Sequence, residues 1–189
     1  MFMESQANLT GQFQRNTSRP IAGTCVQSAF TNPLQQAKMD EVCTLQGHAV
    51  ALSNDTLSGN GNNGMGLAGN VLTATKATST INGFVVDCSS TMSCDTNDFP
   101  RLCKNQIGYV ALLGSGAKVY LAADASLQKV SVDTAVKWDT ANNCLSTSGV
   151  DLPNVKIISQ VVSGVAGRVK AGGDNVTESY ETLVVKVRL

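Results

Sequence analysis

The sequence predicts a mainly β protein: a small antiparallel β-barrel or sandwich with an extended N-terminal arm and at most one or two short helices. The first reason is that short segments rich in β-branched and aromatic residues recur through the second half, separated by Gly, Asp, Asn and Ser. The second is that Leu183, Val185, Val187 and Leu189 alternate with Val184, Lys186 and Arg188 near the C-terminus. The strands predicted in this half are 108–113, 117–123, 128–132, 135–138, 155–158 and 181–189.

The first half of the chain predicts a different organisation. Residues 1–31 are mostly polar and are predicted as the arm, and residues 32–189 as a single β-rich domain with polar loops at 54–69 and 87–105. Strands are predicted at 47–52 and within 71–86. Residues 32–42 predict a short helix, because Asn and Pro stand at its N-cap and first position.

Turn residues predict how the later strands connect. Residues 114–116 and 124–126 carry Gly, Ser and Asp between two strand-like segments, and we expect a hairpin turn at each. Closely spaced short strands of this kind favour a sandwich or barrel over a parallel sheet.

Charge and composition disfavour two classes of partner. Fourteen basic residues balance fourteen acidic ones, so no basic field attracts nucleic acid. No apolar stretch approaches the roughly 18 residues that predict a membrane span, and the N-terminal residues lack a signal-peptide pattern. We therefore expect synthesis in the cytoplasm. Only 15% of residues are charged, which suits a surface that packs against neighbours.

The six cysteines are an even number, but a chain made in a reducing compartment is expected to keep its thiols. The alternative is a local bridge among Cys88, Cys94 and Cys103. These three could also bind zinc with a fourth ligand, although they lack the C-x-x-C spacing that orients two thiolates.

Several motifs suggest chemistry without the context that it needs. Residues 59–64 fit a dinucleotide fingerprint with Asp87 downstream, but no helix follows them, so a surface loop is favoured. His48 is the only histidine and lies in an apolar segment, which favours a packed strand residue over a catalytic base. Asp95 and Asp98, near Asp87, lack the register of a calcium-binding loop.

Trp138 has a carboxylate on either side in the sequence. Asp133 and Asp139 beside an aromatic residue could mark a glycoside-cleaving site, but a single tryptophan in a β protein is more often a core residue. No serine lies in a G-x-S-x-G pattern. The sequence therefore predicts a protein that is not an enzyme, with no catalytic residue, cofactor or metal.

The arm and several segments of the second half resemble the cement or decoration proteins that tailed bacteriophages place on their capsids. In the arm, residues 11–15 and 19–23 look like the extended lead-in of that family, and the six cysteines depart from its cysteine-poor pattern. The segments similar to its small β-barrel are 108–114, 119–124, 129–139 and 142–145.

This resemblance implies a virion structural protein on the capsid exterior, bound to the major capsid protein and to itself as a homo-oligomer, with a trimer among the candidates. It implies no enzyme activity and no cofactor. On this basis, we expect Phe13, Arg15, Arg19 and Phe30 to contribute to the assembly interface. A tail, fibre or other non-cement virion component is the alternative, and a small β-rich carbohydrate-binding module or enzyme is a more distant one.

Overall fold

The computed structural model of the chain describes residues 19–26, 34–54, 72–86, 99–169 and 176–189. The predicted fold class is confirmed: the described residues form thirteen strands, and their helical structure is a single 3₁₀ turn at Ala125–Leu127. No helix in the described ranges has the length and apolar character needed to cross a membrane.

The first half of the chain forms a closed five-stranded barrel in the order β1-β4-β3-β5-β7, called here the N-terminal barrel. Its β1 and β4 are parallel, and its other neighbouring strands are antiparallel. A separate antiparallel ribbon joins β2 to β6. The strands of this half are β1 Gln35–Met39, β2 Cys43–Leu45, β3 Ala49–Asn54, β4 Leu72–Lys76, β5 Gly83–Val86, β6 Arg101–Cys103 and β7 Ile107–Leu112.

The second half forms the C-terminal sheet, with six strands in the order β11-β9-β10-β8-β13-β12. An additional pairing of β11 with β13 makes this sheet curl back on itself. Its strands are β8 Lys118–Ala123, β9 Ala135–Asp139, β10 Cys144–Ser146, β11 Val150–Ile157, β12 Val162–Val169 and β13 Thr177–Arg188.

Side-chain alternation along β5 explains how the two halves share a core. Val85 points into the N-terminal barrel, whereas Phe84 and Val86 belong to the core cluster that includes the C-terminal sheet. The rings of Phe84 and Trp138 meet edge to face with centroids 4.9 Å apart. Both faces of β5 are therefore covered, which explains why its four residues are all buried. The prediction that Trp138 is a core residue is confirmed.

The helix predicted at 32–42 is wrong over its described part, because Gln35–Met39 form strand β1. Ala37 and Met39 face the barrel interior, while the residues between them are less buried. Pairing with β4 on one side and β7 on the other satisfies the backbone of this segment. Tertiary pairing thus overrides a local helix-start signal, while Asn32 and Pro33 lie outside the described residues.

The strands predicted at 47–52, 108–113, 117–123 and 135–138 are confirmed with small shifts in their bounds, and those at 155–158 and 181–189 are parts of strands that begin earlier, Val150–Ile157 and Thr177–Arg188. The pattern at 71–86 contains β4 and β5. By contrast, residues 128–132 form no strand, and the loop predicted at 87–105 contains β6. The loop predicted at 54–69 begins with the last residue of β3, and its remainder lies outside the described residues.

Neither predicted hairpin turn joins a hairpin. Residues 114–116 connect β7 of the N-terminal barrel to β8 of the C-terminal sheet, so the chain changes sheets there. Asp124 instead caps the 3₁₀ turn, accepting a hydrogen bond from the Ser126 backbone at 2.8 Å. Local composition marks both turns, but the partner of each strand depends on distant residues.

Candidate functional site

The described part of the predicted arm is held by the protein's own C-terminal sheet. Residues 19–26, called here the arm anchor, first meet β12, where Val165 donates its N–H to the Pro20 carbonyl at 3.0 Å. The Ala22 N–H then donates to the Val165 carbonyl at 2.8 Å. These bonds add the arm anchor beside β12 as a short parallel bridge.

The arm anchor next meets β8. Gly23 donates its N–H to the Tyr120 carbonyl, and Tyr120 donates its own N–H to the Thr24 carbonyl at 3.1 Å. The Val26 N–H donates to the Lys118 carbonyl at 2.8 Å. Contacts with two strands, β12 and β8, fix the position of residues 19–26 on the C-terminal sheet.

Side-chain packing reinforces these backbone bonds. Ile21 is buried with Leu45 and Phe99, and thereby connects the arm anchor to the β2–β6 ribbon. At Gly164, a Cβ atom would lie 2.5 Å from the Pro20 carbonyl oxygen, so the close approach of the anchor backbone requires glycine there. The anchor is therefore integrated into the fold.

Of the four residues predicted for the assembly interface, Arg19 is the one that the structure describes. Its guanidinium forms an ion pair with Glu181 of β13, and both side chains are substantially exposed. Phe13, Arg15 and Phe30 lie outside the described residues. The structure thus places Arg19 at the start of the arm anchor, against its own domain.

Exposed valines lie near the edge of the C-terminal sheet. Val162 and Val169 stand at the two ends of β12, which is the last strand in the sheet order, and Val176 immediately precedes β13. Edge strands with apolar side chains are surfaces on which another chain can pack. The arm anchor occupies the middle of this edge, because it bonds to Val165, and the exposed Val162 and Val169 lie on either side of that bond.

A cleft of about 590 Å³ lies between the N-terminal barrel and the C-terminal sheet. Strands β2, β3 and β4 line it on one side, and β8, β10, β12 and β13 on the other. Its ionisable lining residues are Glu41, Cys43, His48, Lys76, Asp124, Cys144, Arg168 and Tyr180. Sequence analysis singled out only His48 among these, because the cleft brings together strands that are far apart in the chain.

His48 and Cys144 are both uncharged in this cleft at neutral pH. Burial lowers the pKa of His48 to about 4; a hydrogen bond with the Gly167 backbone opposes the shift, and the positive charge of Lys76 adds to it. Burial raises the pKa of the Cys144 thiol to about 11, with smaller contributions from the negative charges of Asp124 and Asp139. Neither group therefore carries the charge that it would have in a thiolate–imidazolium pair.

Arg168 in the cleft wall interacts through its guanidinium with other side chains of the protein. Its Nε donates to the Glu178 carboxylate at 2.7 Å, and its guanidinium lies 5.2 Å from the centroid of the Tyr180 ring. Burial raises the pKa of Tyr180, the nearby Cys144 adds to this shift, and the Arg168 charge opposes it. This wall is stabilised by contacts within the protein.

The structure describes both acidic residues near Trp138, Asp133 and Asp139. Asp139 accepts hydrogen bonds from the Ala141 backbone at 2.8 Å and from the Asn142 side chain at 2.7 Å. Hydrogen bonds from Asn142 and Ala141 hold the pKa of Asp139 below its usual value. Asp133 occupies a turn with φ of 67°. Trp138 itself is fully buried, so it offers no surface for stacking a sugar.

The remaining sequence motifs fall largely outside the described residues. This applies to the fingerprint at 59–64, to Cys88 and Cys94, and to Asp87, Asp95 and Asp98. Among the residues that the structure does describe, no group of three or more His, Cys, Asp or Glu side chains could hold a metal ion.

We expect the free energy of unfolding to fall as the pH is lowered from 6.5 to about 4, because His48 takes up a proton there only in the unfolded chain. The folded pKa is the lower one, so the loss begins near pH 6.5 and is complete near pH 4. It amounts to at most about 3 kcal/mol. Urea denaturation at a series of pH values measures it.

The matched variant is His48→Gln, which retains a hydrogen-bonding side chain but does not titrate. Its stability should change less across this pH window than that of the unchanged protein. Hydrogen bonds lower the pKa of Asp139 from its usual value, so its own titration lies on the acidic side of this window. Identical pH profiles for the two proteins would show that His48 is not the group responsible.

Comparisons of the chain with protein-family models, with curated proteins and with solved structures give no match.

Proposed function

We propose that the protein is a structural protein of a tailed-bacteriophage virion, a cement or decoration subunit that binds the assembled capsid and bridges neighbouring capsomers. The observation that supports this proposal is the arm anchor, the described part of the predicted arm, which is bonded to β12 and β8 of the C-terminal sheet. The major capsid protein is its proposed partner, and a homo-oligomer its proposed state.

The surface of the protein suits this role. A net charge of zero and a low content of charged residues reduce electrostatic repulsion between many copies crowded on one shell. Val162, Val169 and Val176 supply apolar area near the β12 edge. A stable protein interface buries about 1,200–2,000 Å², so the valines would form only part of it and the arm would add to them.

A cement subunit stabilises the shell because its binding is thermodynamically linked to capsid assembly. A subunit that contacts two capsomers at once binds the assembled shell and not the free capsid protein, so it shifts the equilibrium toward assembly. The His48 and Cys144 protonation states are compatible with this passive role, since neither group is activated in the cleft. The proposal thus requires adhesion and no chemical step.

Cosedimentation of the purified protein with empty capsids and with free capsid subunits tests the proposal directly. We expect saturable binding to the assembled shells and none to the free subunits. A second set of samples contains virions or other particles that carry tails. Binding to tails alone would support the tail or fibre alternative, and binding to neither would contradict a virion role.

The role of the arm is tested by removing residues 2–18 and keeping the arm anchor intact. We expect binding to shells to weaken at least tenfold, because the contacts made by Phe13 and Arg15 are lost. The melting temperature should stay the same, because the bonds from Pro20 and Ala22 to β12 are retained. Cosedimentation and thermal unfolding of the same preparation measure the two effects.

A cut after residue 24 would be a poorer test, since it would also remove the bonds from the anchor to β12 and most of those to β8. The matched control is Val132→Ser, which alters an exposed valine in a segment between the 3₁₀ turn and β9. This variant should bind shells normally. Full binding by the truncated protein would exclude Phe13 and Arg15 from the interface.

A further inference from the structure

The β2–β6 ribbon places two cysteines opposite each other. Its register pairs Cys43 with Cys103, Thr44 with Leu102 and Leu45 with Arg101. Directly opposed residues in an antiparallel pair project from the same face, so the two thiol groups lie on one side of the ribbon. The sequence separates these cysteines by 59 other residues, and only the fold brings them together.

The pattern of backbone hydrogen bonds along the ribbon shows whether Cys43 and Cys103 occupy a hydrogen-bonded or a non-hydrogen-bonded site. Gln46 donates its N–H to the Pro100 carbonyl at 3.0 Å, which makes position 46 opposite 100 a hydrogen-bonded site. Hydrogen-bonded and non-hydrogen-bonded sites alternate along an antiparallel ladder. Three positions further along, Cys43 and Cys103 therefore occupy a non-hydrogen-bonded site.

The backbone of Cys103 agrees with this assignment. Its N–H donates to the Gln106 side-chain oxygen at 2.7 Å, and its carbonyl accepts from the Gln106 N–H at 3.1 Å. Both groups are directed into the turn that follows β6. They are not needed for a ladder bond to Cys43.

Non-hydrogen-bonded sites have the dimensions that a disulfide needs. Opposed Cα atoms there are about 4.5 Å apart, and disulfides join Cα atoms separated by about 4.4–6.8 Å. Directly opposed residues also have Cβ atoms on the same side of the ribbon, about 4.5–5.5 Å apart, at the upper end of the range found in disulfides. Side-chain rotation can therefore bring the two sulfurs within bonding distance.

The two thiols also differ in their exposure to solvent. Cys103 is exposed, whereas Cys43 is partly buried at the cleft. An oxidant can thus reach Cys103 first, and Cys43 stands ready to complete the bond. Cys144 offers a contrast, because it is buried and its pKa is raised to about 11.

We propose that Cys43 and Cys103 form a disulfide when the protein meets an oxidising small-molecule disulfide such as oxidised glutathione. The Cys103 thiolate attacks the glutathione disulfide, which releases one glutathione and leaves a mixed disulfide. The Cys43 thiolate then attacks the Cys103 sulfur and releases the second glutathione. The protein loses two protons and two electrons, and both glutathiones leave reduced.

This bond would close a chain segment that contains β3, β4 and β5 of the N-terminal barrel. The ribbon that it locks also carries Leu102, which is buried in the barrel interior. Closing a long loop stabilises a protein by restricting its unfolded chain. A protein made with reduced thiols would thereby gain stability after release from the cell.

Peptide mapping of the full-length protein tests the proposal. The protein is incubated with oxidised or with reduced glutathione, alkylated, and digested with trypsin without reduction. Cleavage at Lys38, Lys76, Arg101 and Lys104 places Cys43 in peptide 39–76, Cys88 and Cys94 in 77–101, and Cys103 in 102–104. We expect peptide 102–104 joined to 39–76 in the oxidised sample alone.

Thermal unfolding provides a second readout. Oxidation should raise the melting temperature by about 5–10 °C, and dithiothreitol should reverse the increase. Cys43→Ser and Cys103→Ser should each abolish the increase, and Cys25→Ser should retain it. Linkage of 102–104 to 77–101, or an increase that survives Cys43→Ser, would overturn the assignment, as would the absence of any linked peptide.

Discussion

Replacing Trp138 by alanine is expected to lower the free energy of unfolding by about 3–5 kcal/mol, because it leaves a large cavity in the shared core. Trp138 is fully buried and contacts Phe84 across the joint between the C-terminal sheet and the N-terminal barrel. Chemical denaturation followed by circular dichroism measures the loss. Val132→Ala is the control, since this valine is 54% exposed and should cost less than about 0.5 kcal/mol.

A double-mutant cycle with Phe84→Ala isolates the contact between the two rings. We expect a coupling energy of about 1 kcal/mol, as is usual for edge-to-face aromatic pairs. Coupling near zero would mean that the two halves share the core without a specific contribution from this pair. Large destabilisation by Val132→Ala would show instead that the substitutions act through the unfolded state.

Trp138 also reports on whether the two halves unfold together. It is the only tryptophan, so fluorescence follows the joint, while circular dichroism follows both sheets. Because one core cluster includes residues of both halves, we expect the two signals to give coincident transitions. Separate transitions would show that the N-terminal barrel and the C-terminal sheet are independent folding units.

Gly149→Ala is expected to lower the free energy of unfolding by about 3 kcal/mol or more. The residue has φ of 121°, and a Cβ atom there would lie 2.3 Å from the Trp138 carbonyl oxygen. That oxygen belongs to the backbone of β9, which pairs with β11 beside the glycine. Neither strand can move away without breaking this pairing, so urea denaturation should show a large loss.

Gly114→Ala distinguishes the cost of backbone strain from the cost of the steric clash that a Cβ atom would make at Gly149. Gly114 also has a positive φ, of 80°, but a Cβ atom there would meet nothing within 4 Å. Its substitution should therefore cost only the backbone strain of about 1 kcal/mol. Equal losses at the two positions would show that the close approach to Trp138 contributes little.

The sequence was sufficient to predict the β class and many of the strands. In β13, Val185 and Val187 enter the shared core while Arg188 faces solvent, as alternation predicts. The single tryptophan was also correctly predicted as a core residue. Such features follow from the pleat, which places successive side chains on opposite faces whatever the partner strand is.

The sequence did not predict which strands pair with each other. The segment Gln35–Met39 carries a helix-start signal before it, yet it closes the N-terminal barrel between β4 and β7. Likewise, the residues around Gly114 look like a hairpin turn, although the chain passes there from one sheet to another. Local propensities are worth less than the tertiary contacts that compete with them.

The candidate sites were likewise only partly predictable from the sequence. His48 could be singled out because it is the only histidine, but its uncharged state depends on strands that bury it from the other side of the cleft. No spacing rule relates Cys43 to Cys103, whose opposition follows from the register of β2 and β6. The sequence by itself determined that the chain forms pleated strands, because alternation is local. Only the tertiary structure decided which residues meet, because pairing and burial depend on residues far apart in the chain.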